Sequence, residues 1–310
     1  MSVEKSNIKC QGCGGDLIFS GDKQALYCKN CGRIHTFEVK HNILKFDYNE
    51  NAIKPQEKSK GKKTNCTNCG AQLDINEREI TKICQYCGSN FVLNENEIVG
   101  LKPNCVIPFA FDKEKAIEYY KKNVKHKYYL PNKFKKEPNV ESVFGTYISC
   151  FSFDCSTKSS FDGAIAISTS NSRNGRIEND VTVRHIKGNK DLEFKNYIIE
   201  SSHLTNQKSF EDIKPFIVDD DTCCEYDKNF LRGYQVESYD NDLKNCKKIS
   251  EELMKVEIKN KILSQYSYSY VQYFNLTTTF QNNKYSYILL PIYFINFNYK
   301  NKTYKAYLNG

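Results

Sequence analysis

Two kinds of hydrophobic pattern divide the chain at about residue 100. Before it, apolar residues occur in short runs between Cys-x2-Cys pairs, and Asp16–Phe19, Ala25–Cys28 and Thr36–Val39 each fit a short strand. After Leu101 the apolar runs are longer and no Cys-x2-Cys pair occurs. The pattern therefore predicts small β modules first and a larger domain from about residue 99.

The larger domain is predicted to contain both helices and strands. An apolar stripe at Ile117, Tyr120 and Val124 predicts a helix over 112–127, and the same spacing predicts another over 241–261. Residues 228–236 also carry helical signals. Strands are predicted at Ser142–Phe153, Gly163–Ser168, Val181–His185, Phe194–Glu200, and in a closing hairpin of Tyr287–Tyr299 and Thr303–Leu308. Because the two kinds of element are segregated, the expected class is α+β.

An internal repeat with a constant offset carries the candidate chemistry. Each copy reads Cys-x2-Cys-x14-Cys-x2-Cys, and a glycine follows every pair. A tight turn lets both thiolates of a pair reach one ion while backbone amides point at the sulfurs, and the glycine can adopt a positive φ at little cost. The cysteines are Cys10, Cys13, Cys28 and Cys31 in the first copy and Cys66, Cys69, Cys84 and Cys87 in the second.

This spacing predicts two structural Zn²⁺ ions per chain, one in each of two tandem β zinc ribbons. Four thiolates fill a tetrahedral site and leave no position for a catalytic water. A module of about 40 residues seldom folds alone, and a structural zinc site supplies roughly 10–16 kcal/mol coupled to folding. The predicted divisions are zinc ribbon 1 at 1–45, a basic flexible linker at 46–63, zinc ribbon 2 at 64–98 and the α+β domain at 99–310. The linker predicts that ribbon 1 moves independently of the rest.

Composition excludes several classes of protein. With 39% hydrophobic and 26% charged residues over 310 positions, the chain is neither a disordered tail nor low in complexity. Its first 20 residues lack the apolar run of a signal peptide. The apolar stretch 285–297 is shorter than the roughly 20 residues that a membrane helix needs. We therefore expect a cytoplasmic protein, whose reducing surroundings favour metal ligation over disulfides.

Motifs of common enzymes are not found in the sequence. The nearest match to a phosphate-binding Gly-x4-Gly-Lys-Ser/Thr loop is Gly61–Thr64, which lacks the first glycine, and Gly-x-Ser-x-Gly and His-Glu-x-x-His do not occur. Five histidines are scattered; His35 and His41 lie near ribbon 1, whose ligand set is already complete. We expect no enzymatic activity.

The cysteines outside the repeat have no metal-ligand spacing and read as buried thiols. They are Cys105, Cys150, Cys155, Cys223, Cys224 and Cys246. Among them, Cys223 and Cys224 form the one pair that could be redox-active. The neighbouring acidic run Asp219–Asp221 could hold a cation, although a solvated loop fits it better.

A series of motifs then resembles a family of bacterial tandem zinc-ribbon proteins over nearly the whole chain. Family members are often labelled as having zinc ribbons of the transcription-factor-IIB type, and also as primosomal or replication-restart helicase-like. Many continue into membrane helices, which this chain does not contain. The motifs are Val106–Phe109, Phe111–Ala116, Phe144–Ile148, Phe153–Asp154, Glu211–Phe216, Phe230–Tyr234, Leu290–Tyr293, Tyr299–Tyr304 and the closing Asn309–Gly310. Phe151 and Tyr293 stand where members usually have tryptophan. The resemblance implies a protein partner in a membrane-associated or stress-related assembly.

Two functions remain open from the sequence. The first is a non-enzymatic zinc-binding interaction or adaptor protein that binds another protein. The second is a nucleic-acid-binding factor, an accessory of transcription or replication, acting through the ribbons and the basic linker. Residues 64–97 carry two basic and five acidic side chains, whereas a phosphate-binding face needs clustered Lys and Arg. Nucleic acid would therefore have to be held weakly, by Lys54, Lys58, Lys60, Lys62 and Lys63 and by 121–136.

Overall fold

A computed structural model describes residues 9–49, 62–66, 70–75, 80–83, 86, 90–92, 101–128, 130–136, 140–173, 176–202, 207–236, 238–300 and 302–310. Most of the predicted linker and three of the four cysteines of ribbon 2 therefore lie outside the described residues.

Strands dominate the described chain. They are β1 (Leu17–Ser20), β2 (Ala25–Cys28), β3 (Ile34–His35), β4 (Phe46–Asp47), β5 (Lys62–Asn65), β6 (Gln72–Ile75), β7 (Thr81–Ile83), β8 (Asn90–Val92), β9 (Cys105–Val106), β10 (Val140–Arg173), β11 (Arg176–Glu200), β12 (Cys224–Glu225), β13 (Gln235–Val236), β14 (Tyr270–Tyr299) and β15 (Lys302–Asn309). The helices are α1 (Lys113–His126), α2 (Asn132–Lys136), α3 (Gln207–Asp212) and α4 (Leu243–Leu263), with a 3₁₀ turn at Lys228–Leu231.

One large mixed sheet is built on the antiparallel pairing of β10 with β14. The register runs from Val140 opposite Phe297 to Ala166 opposite Tyr270, and β11 pairs with the other edge of β10. The second edge of β14 is shared by three short strands, β4, β9 and β15. The domain is thus β-rich with few helices, where the sequence predicted a balanced α+β fold.

Several predicted strands are parts of longer ones. The runs Ser142–Phe153 and Gly163–Ser168 belong to β10, and those at 181–185 and 194–200 belong to β11. Polar residues between the runs do not end the strands because only one face of this part of the sheet is covered, by α4. Register shifts between Phe153 and Cys155 and between Ala164 and Ile165 accommodate the bending of such long strands.

The predicted helices at 112–127 and 241–261 are confirmed as α1 and α4. Asp242 caps α4 by accepting a hydrogen bond from the Asn245 amide at 2.7 Å. The helical prediction over 228–236 is wrong beyond one 3₁₀ turn, because the chain then extends and β13 pairs in parallel with β10. Within the described residues, no helix combines the length and apolar character needed to cross a membrane.

An aromatic cluster lies at the centre of the core and gathers residues from four of the sequence motifs. The Phe109 ring stacks on Tyr234 with centroids 4.1 Å apart and contacts Tyr147 at 4.9 Å and Tyr293 at 4.7 Å. A Cβ at Gly145 would come within 2.6 Å of the Tyr234 ring, so this close approach requires glycine. The motifs are far apart in sequence and are joined by packing at this point.

Helix α4 is attached to the sheet by a buried lysine. Lys247 is 4% exposed, donates a hydrogen bond to Asn283 at 2.8 Å and pairs with Glu251 at 3.2 Å. Its ammonium also lies 5.7 Å from the Phe153 ring and 5.2 Å from the Phe280 ring. A buried ammonium is tolerated only with such partners.

We predict that Lys247→Ala lowers the free energy of unfolding by about 2–3 kcal/mol, because Asn283 and Glu251 lose their partner and the rings lose a cation. Urea unfolding followed by far-ultraviolet circular dichroism measures the change. Lys248→Ala, at an exposed neighbouring position of the same helix, is the matched control and should change stability by less than about 0.5 kcal/mol. Equal effects of the two variants would contradict a role for the buried ammonium.

Candidate metal centre

Ribbon 1 brings four thiols together from two turns. The Sγ atoms of Cys10, Cys13, Cys28 and Cys31 all lie within 4.8 Å of one another. Cys10 and Cys31 Sγ are 3.4 Å apart, and Cys13 and Cys28 Sγ are 3.5 Å apart. A tetrahedral zinc with Zn–S distances of about 2.3 Å holds its sulfurs about 3.8 Å apart. The cluster therefore has the dimensions of a four-thiolate zinc site.

Both turns are closed by the same pair of backbone hydrogen bonds. The Gly14 amide donates to the Cys10 carbonyl at 2.8 Å, and the Gly32 amide donates to the Cys28 carbonyl at 2.9 Å. Each cysteine amide in turn donates to the carbonyl five residues on, at 2.9 Å. Gly14 and Gly32 have φ of +70° and +74°. The glycines predicted from the sequence are therefore needed for their left-handed backbone conformation.

Electrostatics in the cluster call for a cation. A hydrogen bond from His35, helped by the amides of Gly12 and Cys13, lowers the pKa of the Cys10 thiol to about 5. At Cys13 the amide of Gly15 lowers the pKa, but hydrogen bonding with Cys28 and Cys31 outweighs it and raises the pKa to about 12. Four thiols this close cannot all ionise unaided. Zinc supplies the positive charge that lets all four bind as thiolates.

His35 is a residue whose role sequence reasoning missed. It lies on β3 beside β2, opposite Leu26, and its side chain hydrogen-bonds Cys10 while its buried Nε2 has no partner within the described residues. An outer partner of this kind orients a metal ligand and tunes its basicity. The only signal in the sequence was its position, four residues after Cys31.

Ribbon 1 is docked on the β-rich domain and does not stand apart from it. The Phe19 amide donates to the Arg232 carbonyl at 2.9 Å, and the Phe19 ring packs against Phe230 with centroids 5.2 Å apart. The first zinc ligand, Cys10, and the last residue of β2, Cys28, are buried in the same core cluster. The expectation that ribbon 1 moves independently is therefore wrong.

The turn between β1 and β2 contacts the start of α1. Asp112 precedes α1, yet its carboxylate accepts hydrogen bonds from Ser20 Oγ and from the Gly21 amide, both at 2.7 Å. A Cβ at Gly21 would lie 2.6 Å from the backbone nitrogen of Phe111, so the backbones approach too closely for a side chain. Directly after ribbon 1, β4 pairs with β14 at Tyr285 and Lys284. Residues 46 and 47, assigned to the linker, thus form a strand of the large sheet.

The first turn of the second repeat has the same backbone geometry as both turns of ribbon 1. The Gly70 amide donates to the Cys66 carbonyl at 2.8 Å, the Cys66 amide donates to the Ala71 carbonyl at 2.7 Å, and Gly70 has a φ of +74°. Ile80 is fully buried, and its amide donates to the Val236 carbonyl at 3.1 Å. Cys69, Cys84 and Cys87 lie outside the described residues, so one four-cysteine cluster is shown.

The remaining cysteines are buried, as the sequence predicted. Burial raises the pKa of Cys223 to about 12 and that of Cys224 to about 11, so both thiols stay neutral near pH 7. Cys224 Sγ lies 3.7 Å from Nδ1 of His41. The acidic run next to them forms a turn, in which Asp219 accepts a hydrogen bond from the Thr222 amide at 2.8 Å.

Comparison with known proteins agrees with the geometry of ribbon 1. The model of a zinc ribbon domain family matches residues 5–37, so the chain begins with a zinc ribbon, and its cysteine cluster supports Zn²⁺ binding. Over 314 aligned residues the chain is 24% identical to "Uncharacterized protein YdjG" of Bacillus subtilis (strain 168), with 98% of this chain and 87% of that protein covered. No solved structure matches significantly.

We predict that His35→Ala weakens zinc binding by ribbon 1 about 10- to 100-fold, because Cys10 loses the hydrogen bond that favours its thiolate. Titration against a chromophoric chelator measures the affinity. His41→Ala removes an exposed histidine that contacts Cys224 and no ribbon cysteine, so it should leave zinc affinity unchanged. If the two variants bind zinc equally well, His35 has no role in the site.

We also predict that zinc removal loosens the β-rich domain where ribbon 1 docks. Chelation should increase hydrogen exchange both in 17–28 and in 228–236, because β1 holds Phe230 and Arg232 in place. Segments of α4 and β11 lie away from the docking site and serve as the internal control. Gly21→Ala should have the same effect with zinc bound. Exchange that rises in ribbon 1 alone would contradict the docking.

Proposed function

We propose that the protein is a non-enzymatic, zinc-dependent interaction protein, an adaptor whose partner is another protein. The observation that carries the proposal is the docked four-cysteine cluster of ribbon 1. Catalytic zinc sites keep one coordination position open for water, whereas four cysteines fill all four. The metal then serves to hold ribbon 1 rigidly against the segment Phe230–Arg232 and the start of α1, which builds one composite surface from two modules.

The second repeat is proposed to hold a second structural zinc at Cys66, Cys69, Cys84 and Cys87. The turn at Cys66 supports this, since its hydrogen bonds and its glycine repeat those of ribbon 1. We expect two zinc ions per chain by elemental analysis of protein purified without oxidation. Cys66→Ser should remove one of them, and Cys246→Ala, a buried cysteine outside the repeats, should remove neither. A wild-type content near one would contradict the second site.

Charge favours a protein partner over nucleic acid. Each four-thiolate zinc site adds a net −2, which lowers the formal +8 of the chain. Residues 64–97 are acidic by five side chains to two. The lysines of 46–63 offer few phosphate contacts, so we expect duplex DNA to bind weakly and to dissociate as salt rises. The resemblance to tandem zinc-ribbon proteins supports a bacterial cytoplasmic setting, at a membrane-associated or stress-related assembly.

Affinity purification with the zinc-loaded chain tests the proposal. A partner should be retained by wild-type protein and lost with Gly21→Ala, which displaces ribbon 1 while leaving all ligands in place. In a parallel assay, Lys58, Lys60, Lys62 and Lys63 changed to Ala should abolish the residual DNA binding without affecting the partner. Sequence-selective DNA binding that persists at physiological salt in this variant would overturn the proposal and favour a nucleic-acid factor.

A further inference from the structure

The outer edge of β15 is open. Lys302–Asn309 pairs with β14 along its whole length, and in the part of the chain that the structure describes no strand pairs with its other side. An edge strand presents unpaired amide and carbonyl groups, to which another extended chain can add. Proteins usually cover or blunt such an edge, so an open one next to a cavity is a candidate docking site.

A cavity of about 500 Å³ runs between this edge and the helices α1 and α2. Five consecutive residues of β15, Tyr304–Leu308, line it. Side chains of a strand alternate between the two faces of a sheet. Five in a row can line one cavity only where it follows the edge of the strand and reaches the backbone. The opposite wall is formed by Tyr120, Asn123, Val124, Lys127, Leu130, Pro131 and Phe134, and the floor by Phe297 and Tyr299.

Aromatic rings make most of the apolar wall. Phe297 stacks with Tyr304 at 5.5 Å and contacts Phe134 at 5.2 Å and Tyr120 at 5.7 Å. Such a wall suits apolar side chains, and its rings already hold one another in place. Tyr304 itself is 42% exposed, so part of this apolar surface faces solvent.

The cavity is also positively charged. Lys127 and Lys305 are the charged residues of its lining, and no Asp or Glu is among them. Both lysines are exposed, and neither forms an ion pair with any described residue. A ligand that carries carboxylates beside apolar groups would therefore match both the wall and the charge.

We propose that this groove binds an extended segment of a protein partner, which adds to the sheet as a strand beside β15. Its apolar side chains lie among the Phe134, Phe297 and Tyr304 rings, and its Asp or Glu side chains lie beside Lys127 and Lys305. This inference rests on the proposed function, for which it names the chemistry of a partner. A second copy fits less well, because pairing two β15 strands would bring Lys302 and Lys305 of both copies together without a carboxylate on either strand.

Selection of linear ten-residue peptides from a displayed library on the full, zinc-loaded chain tests the groove. We expect enriched peptides that alternate apolar residues with Asp or Glu. Their binding should fall at least about tenfold in the double variant Lys127→Glu and Lys305→Glu. The matched control changes Lys122 and Lys302, exposed lysines of the same two elements outside the cavity, to Glu and should keep affinity within about twofold.

N-methylation of alternate amides of a selected peptide separates strand addition from simple apolar binding. We expect methylation on the paired side to abolish binding, because side chains are unchanged and only backbone hydrogen bonds are lost. Library enrichment that fails, or peptides that bind the double variant or the methylated form as well as the original, would overturn the groove. A dimer of the chain that the double variant disrupts would also overturn it, in favour of a second copy.

The two levels of the proposal fail separately. If the groove is overturned but the wild-type chain and the Lys127→Glu, Lys305→Glu variant both retain a partner that Gly21→Ala loses, the interaction function stands and acts through ribbon 1. If no partner depends on zinc or on ribbon docking, the interaction function itself is wrong.

Discussion

The pairing of β10 with β14 is the contact on which the rest of the structure depends. It joins segments more than 100 residues apart, and every other strand of the large sheet adds to one of these two or to a strand that they hold. β11 extends the free edge of β10 and, with α4, forms a long arm with one covered face. Strands from three distant parts of the chain share the free edge of β14. The open edge of β15 follows from this order, since β15 is the last strand on that side.

The zinc ribbon is integrated into this sheet through one short segment. Arg232 accepts a backbone hydrogen bond from β1, and Val236 accepts one from Ile80 of the second repeat, while Tyr234 stacks in the central aromatic cluster. Residues 230–236 thus meet both repeats and the core. Metal binding in ribbon 1 and packing in the domain are therefore coupled, which is what an adaptor built from small metal modules requires for a defined surface.

The chemistry of the cysteines divides along burial and neighbours. In ribbon 1, amides and His35 stabilise thiolates, and Cys13 and Cys31 reach solvent. Elsewhere burial is the main cause that raises the pKa of each thiol and keeps it protonated. The same residue type therefore serves as a metal ligand in one setting and as a small apolar side chain in the other.

The sequence alone determined the local features: the four ligands of ribbon 1, the glycines that follow them, and the helices α1 and α4. Each depends on spacing within one turn or one helix. Only the tertiary structure decided that ribbon 1 is docked, that residues 46–47 join the sheet, that 228–236 is mostly extended, and that polar runs continue into strands of 34 and 30 residues. These depend on partners far away in sequence, such as Phe19 with Phe230, and a periodic pattern carries no information about which distant surface covers it.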